Sequence, residues 1–221
     1  MISIAIDGPA GAGKSTIAKE ISKKLGYIYI DTGAMYRAIG LFVLEHNIET
    51  KDVKGVISLL PLIDLKIKFI DNTQRVFLNG EDVSDKIRQP EVSMAASDVS
   101  AIKEVRAFLL DLQKDMAVKN NVLMDGRDIG TVVLPNADVK IFLTASNEER
   151  AKRRYNQLKS QGKKIAYQDV LDDIIKRDYN DSNRDIAPLK PADDAIIVNT
   201  TLDTLEESVN RILSIIKEKI K

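Results

Sequence analysis

Ser3-Ile4-Ala5-Ile6-Asp7-Gly8-Pro9-Ala10-Gly11-Ala12-Gly13-Lys14-Ser15-Thr16 is the stretch whose reading decides the fold. A short apolar run reads as a buried strand. A glycine-rich loop follows it and opens a helix over Ile17 to Leu25. Gly8, Gly13, Lys14 and Ser15 fit G-x-x-x-x-G-K-[ST] at the required spacing. Glycines let consecutive N–H groups turn inward into an anion-binding concavity. The helix points its positive end at the same place. Lys14 adds a point charge for the outer phosphates, and the Ser15 hydroxyl is a hard oxygen ligand suited to Mg²⁺. The loop implies a nucleoside triphosphate, with Gly8, Pro9, Ala10, Gly11, Ala12, Gly13, Lys14, Ser15 and Thr16 as its contacts.

The rest of the composition sets limits. The 221 residues suffice for one core, or a core with a small insert. Lys+Arg and Asp+Glu are equal at 33 each, so no global field recruits nucleic acid or an anionic membrane. Cysteine is absent, which excludes disulfides, thiolate metal sites and cysteine nucleophiles, and fits a reducing cytoplasm. No apolar run approaches the roughly 20 residues that span a bilayer. The expectation is a cytoplasmic monomer.

Further along, Tyr27 to Asp31 reads as a second buried strand, with Thr32 capping a helix from about Gly33 to His46. Its end delivers Asp31, Thr32 and Arg37 to one neighbourhood, at the sheet edge where open α/β folds bind ligands. His46, the only histidine, reads as a surface residue. From about Lys51 the texture changes. Val53 to Ile63 is helix-like, Leu65 to Ile70 alternates with period two, Asp71-Asn72-Thr73 turns, and Arg75 to Leu78 follows. Asn79-Gly80 then makes a tight turn into Glu81 to Val83. This is an antiparallel meander inserted in a βα chain. Helices are expected over Glu91 to Val99 and Ile102 to Lys119.

Val122 to Asp125 is another strand, followed by Gly126-Arg127-Asp128-Ile129-Gly130, whose glycines suggest a turn presenting both charges to a ligand. Lys140 to Thr144 is the next strand, and Asn147 is expected to cap the next helix. From Glu148 to Lys164, seven basic residues face two acids, and Arg150 and Arg154 lie one turn apart on one face. A phosphate-covering lid over about 150–166 is expected. Arg177, Asp181 and Arg184 share a face of the following helix. Ala195 to Asn199 is a last strand before a closing amphipathic helix. The fold class is therefore α/β: a three-layer phosphate-loop fold with a five-stranded parallel sheet, a small β-rich insert and a short helical lid. Residues 1–60 and 120–221 would form the core domain, and 61–119 the insert.

The inventory offers no histidine base, cysteine or zinc set. Phosphoryl transfer suits it, because catalysis there is mostly positioning and charge neutralisation. A phosphate acceptor is largely dianionic at neutral pH and needs no general base. It needs guanidinium forks, and Arg37, Arg127, Arg177 and Arg184 supply them.

The phosphate loop, Asp31-Thr32-Gly33-Ala34-Met35-Tyr36-Arg37, Gly126-Arg127-Asp128-Ile129-Gly130-Thr131 and Arg177-Asp178-Tyr179-Asn180-Asp181-Ser182-Asn183-Arg184 together resemble bacterial cytidylate kinases over nearly the whole chain. The resemblance implies Mg-ATP as donor, CMP or dCMP as acceptor, and no nucleic-acid or membrane partner. It implies catalytic roles for Lys14, Arg127, Arg177 and Arg184, Mg²⁺ near Ser15, and ATP contacts from Arg150 and Arg154. The monophosphate falls to Arg37, Arg127 and Arg184, with Arg177 close to phosphate and sugar. Thr32, where some members have serine, and Asp181 fall to the sugar hydroxyls. Ser97, Arg106 and Asp128 fall to the base. A carboxylate accepts from cytosine N4, and a guanidinium donates to N3 or O2, so Asp128 with Arg106 complements cytosine and opposes uracil. Another nucleoside monophosphate kinase, for UMP or AMP, is the runner-up, and a shikimate-type kinase stands further off.

Overall fold

Strands apolar on both faces need cover on both sides, and the computed structural model, which describes residues 1–71 and 73–220, provides it. Five strands form one parallel sheet: β1 (Ser3–Asp7), β2 (Ile28–Asp31), β6 (Val122–Asp125), β7 (Val139–Thr144) and β8 (Ile196–Asn199). Their order across the sheet is β2-β6-β1-β7-β8. Ile6 is in register with Asp125 on one side and Ile141 on the other, and Asp31 is level with Asp125. The ends of β1, β2 and β6 therefore meet at one edge.

Alternation along β1 assigns the layers. Ile4 and Ile6 face one side, where Ile17, Ala18 and Ile21 of α1 (Lys14–Leu25) and Val209, Ile212 and Ile216 of α8 (Leu205–Lys219) cover them. Ala5 faces the other, toward Met35 and Ile39 of α2 (Thr32–Glu45). Ile4, Ile6 and Ile21 have no solvent exposure, and each such side chain contributes roughly 1.5–3 kcal/mol.

The insert has its own sheet. β3 (Leu65–Ile70), β4 (Thr73–Leu78) and β5 (Glu81–Asp82) form an antiparallel meander, with Asn79 and Gly80 at positive φ in the expected turn. Asn72, in the other expected turn, lies outside the described residues, as does Lys221. The helix-like patch at Val53 resolves into α3 (Val53–Leu59) and a 3₁₀ turn, Leu60–Leu62, that carries Pro61. α4 (Pro90–Val99) and α5 (Lys103–Lys119) follow β5. One apolar cluster runs from Met35, Ile39 and Met124 through Val99 and Leu109 to Val76 and Leu78, so insert and body share a core. A polar tie also joins them: Gln74 accepts from the Asp31 N–H at 2.8 Å and donates to the Asp31 carbonyl at 3.1 Å.

α6 (Asn147–Ser160) and α7 (Tyr167–Asn183) pair over a small apolar cluster of Ala151, Leu158, Val170 and Ile174. Two caps differ from expectation. Asp31, not Thr32, caps α2, accepting from the Ala34 N–H at 2.9 Å. The helix starts one residue earlier than its sequence suggests, which moves the cap position onto the strand's last carboxylate. Ser146, not Asn147, caps α6 for the same reason, accepting from the Glu149 N–H. His46 is exposed and rests against the Phe42 ring.

Candidate active site

The backbone of the phosphate loop is where glycine is required. Gly8, Gly11 and Gly13 all hold positive φ, and a Cβ on Gly8 would stand 2.0 Å from the Leu143 carbonyl oxygen. L side chains avoid that region of φ, so the loop's inward turn of N–H groups depends on these positions. Gly13 directly precedes α1, whose first turn carries no acid to compete with an incoming anion.

The loop forms one wall of a cleft of about 930 Å³. Thr32 and Arg37 from the start of α2, Ser97 and Ser100 from the α4 end, and Arg106 from α5 form the far wall. Arg127 and Asp128 follow β6, and Arg154, Arg177, Asp181 and Arg184 come from α6, α7 and just beyond it. Every sequence-expected contact outside the phosphate loop lines this cleft except Arg150.

Arg150 stands apart from the cleft. It is buried behind the phosphate loop, donating to the Ala145 carbonyl at 2.9 Å and to the Ala10 carbonyl at 2.7 Å, and pairing with Asp178 and Asn147. Asp178 in turn accepts from the Ala10 N–H at 3.0 Å. Arg150 thus braces the loop from outside the cleft, while Arg154 reaches inside. The shared face inferred from their i,i+4 spacing holds for the helix, but the helix is wedged against the loop at Arg150. Arg153, one of the seven basic residues of the expected lid and with Arg150 and Arg154 a candidate for the transferring phosphoryl group, also lines the cleft and donates to the Thr200 carbonyl at 2.6 Å.

Cations converge on the cleft. Lys14 Nζ donates to the Pro9 carbonyl at 2.8 Å; burial and the nearby Arg127 push its ammonium well below the usual lysine range. Burial and Arg127 likewise bring Arg177 down to about 10, and its buried Nε has no hydrogen-bond partner among the described residues. Burial and Arg106 lower Arg184. Cations that depress one another are stabilised by a polyanion, which restores the charge balance. Some carboxylates hold the forks in place. Arg37 donates to Asp31 at 2.7 Å, and Arg127 Nε to Asp181 at 2.9 Å. Burial alone would raise both acids, but Arg37 holds Asp31, and Arg127 with Arg177 hold Asp181, below the usual carboxylate range.

At the insert end, Arg106 and Asp128 form a buried pair, and Arg184 Nη2 lies 3.6 Å from the second Asp128 oxygen. Burial raises the Asp128 pKa, against the pull of Arg106 and Arg184. Tyr36 flanks the pair, with the Arg106 guanidinium 5.6 Å from its ring centre. At the phosphate end, the Ser15 hydroxyl donates to Asp125 at 2.7 Å, and the Tyr29 hydroxyl donates to the other Asp125 oxygen at 3.0 Å. Burial and Asp31 raise Asp125 to about 6. The Thr32 hydroxyl donates to the Asp125 carbonyl at 2.7 Å. A hydroxyl and one carboxylate, both hard oxygens, fit Mg²⁺, which takes few protein ligands beside phosphates and water. In the sequence Asp125 is only the last residue of a strand. Its alignment with Ser15 is invisible without the β1–β6 pairing.

One phosphate loop, an arginine cluster and a buried acid–arginine pair in one cleft agree with the match to a family model, "Cytidylate kinase", over residues 4–218. The chain belongs to the cytidylate kinase family. It is 56% identical over 220 residues to a cytidylate kinase of Caldicellulosiruptor bescii, covering 100% of this chain and 97% of that one. It is 57% identical over 214 residues to the Caldicellulosiruptor saccharolyticus cytidylate kinase, covering 97% and 95%. Family membership makes it a nucleoside monophosphate kinase, a transferase. A solved structure of an uncharacterized protein from Eubacterium ventriosum shares the fold at 12% identity, with a TM-score of 0.52 over 98% of this chain and 99% of that one. Among the described residues no helix is long and apolar enough to cross a membrane.

Proposed function

We propose that the chain transfers the γ-phosphoryl group of ATP to CMP and dCMP, giving CDP and dCDP, in the single cleft described above. The observation that carries the reading is the Arg106–Asp128 pair, set in the same cleft as the phosphate loop. Residues 61–119 serve as the monophosphate-binding insert, 150–166 as the lid, and the remainder as the core.

In this reading the loop Gly8 to Thr16 holds the triphosphate through its free N–H groups, which exclude Pro9, without one, and Ala10, held by Asp178. Lys14 leaves the Pro9 carbonyl for the outer phosphates, whose negative charge favours its ammonium form. Arg154 meets them from the lid. Mg²⁺, held through Ser15 and Asp125, supplies charge neutralisation on the phosphates when bound. Arg37, Arg127 and Arg184 hold the acceptor phosphate, and Arg177 stands between the two anions, with Thr32 and Asp181 toward the sugar. The acceptor is already an anion, so no side chain need remove a proton. The arginines instead offset the repulsion between two polyanions and keep the reacting oxygens in line. Asp128 accepts from the cytosine amino group, Arg106 donates to N3 or O2, and Ser97 completes the base contacts. Mismatched buried polar groups can discriminate by about 10⁴. The reading also makes the enzyme a cytoplasmic monomer.

The test is ADP release from Mg-ATP with CMP, dCMP, UMP, AMP, shikimate or no acceptor. Turnover confined to CMP and dCMP is expected. Turnover with UMP or AMP instead discards the base assignment, and acceptor-independent hydrolysis alone sinks the kinase reading. Asp128→Ala is expected to reduce CMP selectivity over UMP far more than ATP binding, as read from kcat/KM for each acceptor.

A further inference from the structure

Asp7 is a buried acid, 4% exposed, with no part in the contacts proposed above. It ends β1, next to Gly8 of the phosphate loop. Its carboxylate accepts from the Ile129 N–H at 2.8 Å and the Gly130 N–H at 2.7 Å, one oxygen to each. Those N–H groups open the π-helical turn Ile129–Val133, and the first N–H groups of a helix have no partner inside it. The residue in the cap position is Asp128. An aspartate there ordinarily turns its own carboxylate back onto the second or third N–H of the turn, here Gly130 or Thr131. Asp128 makes no such bond and reaches into the cleft to Arg106.

We infer that Asp7 is a specificity-positioning residue: it caps the 129–133 turn from a distant strand, and so frees the Asp128 side chain to read the base. The inference rests on the proposed role of Asp128. The two carboxylates compete for one donor, the Gly130 N–H. With Asp7 in place the donors are satisfied, and its charge repels an Asp128 side chain that turns back. Without it, two buried N–H groups lie unpaired, and the Asp128 carboxylate can swing onto that of Gly130 at the expense of its bond to Arg106. Burial raises Asp7 to about 6, against the lowering by the two amides, so it is mainly ionised at neutral pH.

The test compares wild type, Asp7→Asn, Asp128→Asn and the double variant in steady-state kinetics with CMP and UMP at saturating Mg-ATP. Asparagine keeps the volume and one acceptor. Asp7→Asn is expected to raise the CMP KM about tenfold, the size of one lost charge-assisted hydrogen bond. The CMP-to-UMP ratio of kcat/KM falls with it, and the ATP KM does not change. In the Asp128→Asn background, Asp7→Asn is expected to move that ratio no further. A ratio altered by Asp128→Asn but untouched by Asp7→Asn, with only Tm and kcat reduced, overturns the positioning role alone. A ratio that Asp128→Asn leaves unchanged overturns the base-reading role, and the inference with it. A wild-type measurement covers the case in which Asp7→Asn fails to fold. Lys14 and Asp128 are the charged groups that act on Asp7, and the Lys140 stem lies close to Gly130. The Ile129 and Gly130 amides are expected to be protected from hydrogen exchange in the wild type; fast exchange of both overturns the cap.

Discussion

Arg150→Met separates a brace from a lid cation. Methionine fills much of the arginine stem's space but offers no donors. The substitution strands the Ala10 and Ala145 carbonyls, Asn147 and the Asp178 carboxylate in a site where Arg150 is 3% exposed. Removing one member of a buried ion pair costs about 3–5 kcal/mol. The Asp178 side chain keeps 19% of its exposure, and it still accepts from the Ala10 N–H, so the lower end of that range applies, about 3 kcal/mol. In a chain of this size that lowers Tm by about 6–12 °C. The assay is calorimetric or fluorimetric melting without ligand, beside the ATP KM. The phosphate loop loosens with its brace, so the ATP KM rises as well, but melting carries the decision. An unchanged Tm with a raised ATP KM would refute the reasoning, because it would make Arg150 a mobile cation that meets ATP directly.

Asp125 gives a pH signature. Its folded pKa of about 6 lies above the ordinary aspartate value of 3.8, so the folded chain binds the proton more tightly than the unfolded chain. The stabilisation is therefore present below the unfolded pKa and lost as pH rises through about 6. Asp125→Asn should stabilise the ligand-free chain at pH 8 by about 1.4 kcal/mol relative to its effect at pH 5, read as a higher Tm; a Tm difference flat across that range argues against a burial-raised carboxylate. The same variant is expected to weaken Mn²⁺ binding in the presence of a nucleotide, read by paramagnetic relaxation. Gly8→Ala places a Cβ 2.0 Å from the Leu143 carbonyl at a φ of +146°. It is expected to destabilise by more than about 3 kcal/mol and to abolish ATP binding, as followed by urea unfolding and calorimetry; a folded, ATP-binding variant means the loop can shift away from β7.

Much of this protein was legible in the chain itself. The phosphate loop is a local device: fourteen adjoining residues carry the strand, the positive-φ glycines and the helix start, and backbone geometry over that span follows from the residues themselves. The parallel sheet and the meander were legible for the same reason, since apolar runs and turn residues act over a few positions. The caps at Asp31 and Ser146 were misplaced by a single residue, because a helix start is fixed by which side chain reaches the free N–H groups, not by composition.

Tertiary structure decided what crosses the chain. Asp125 meets Ser15 because β6 lies beside β1 in one register. Asp7 meets Ile129 and Gly130 across 122 and 123 residues. Arg150 and Arg154 share a helix, yet one is locked behind the loop and the other lines the cleft, because the loop packs against only one end of that face. Sequence spacing supplies the periodicity of an element, but not its neighbours. Which carboxylate, carbonyl or guanidinium a side chain meets, and so its charge and its task, follows from strand order and helix docking, which are settled by burial over the whole chain.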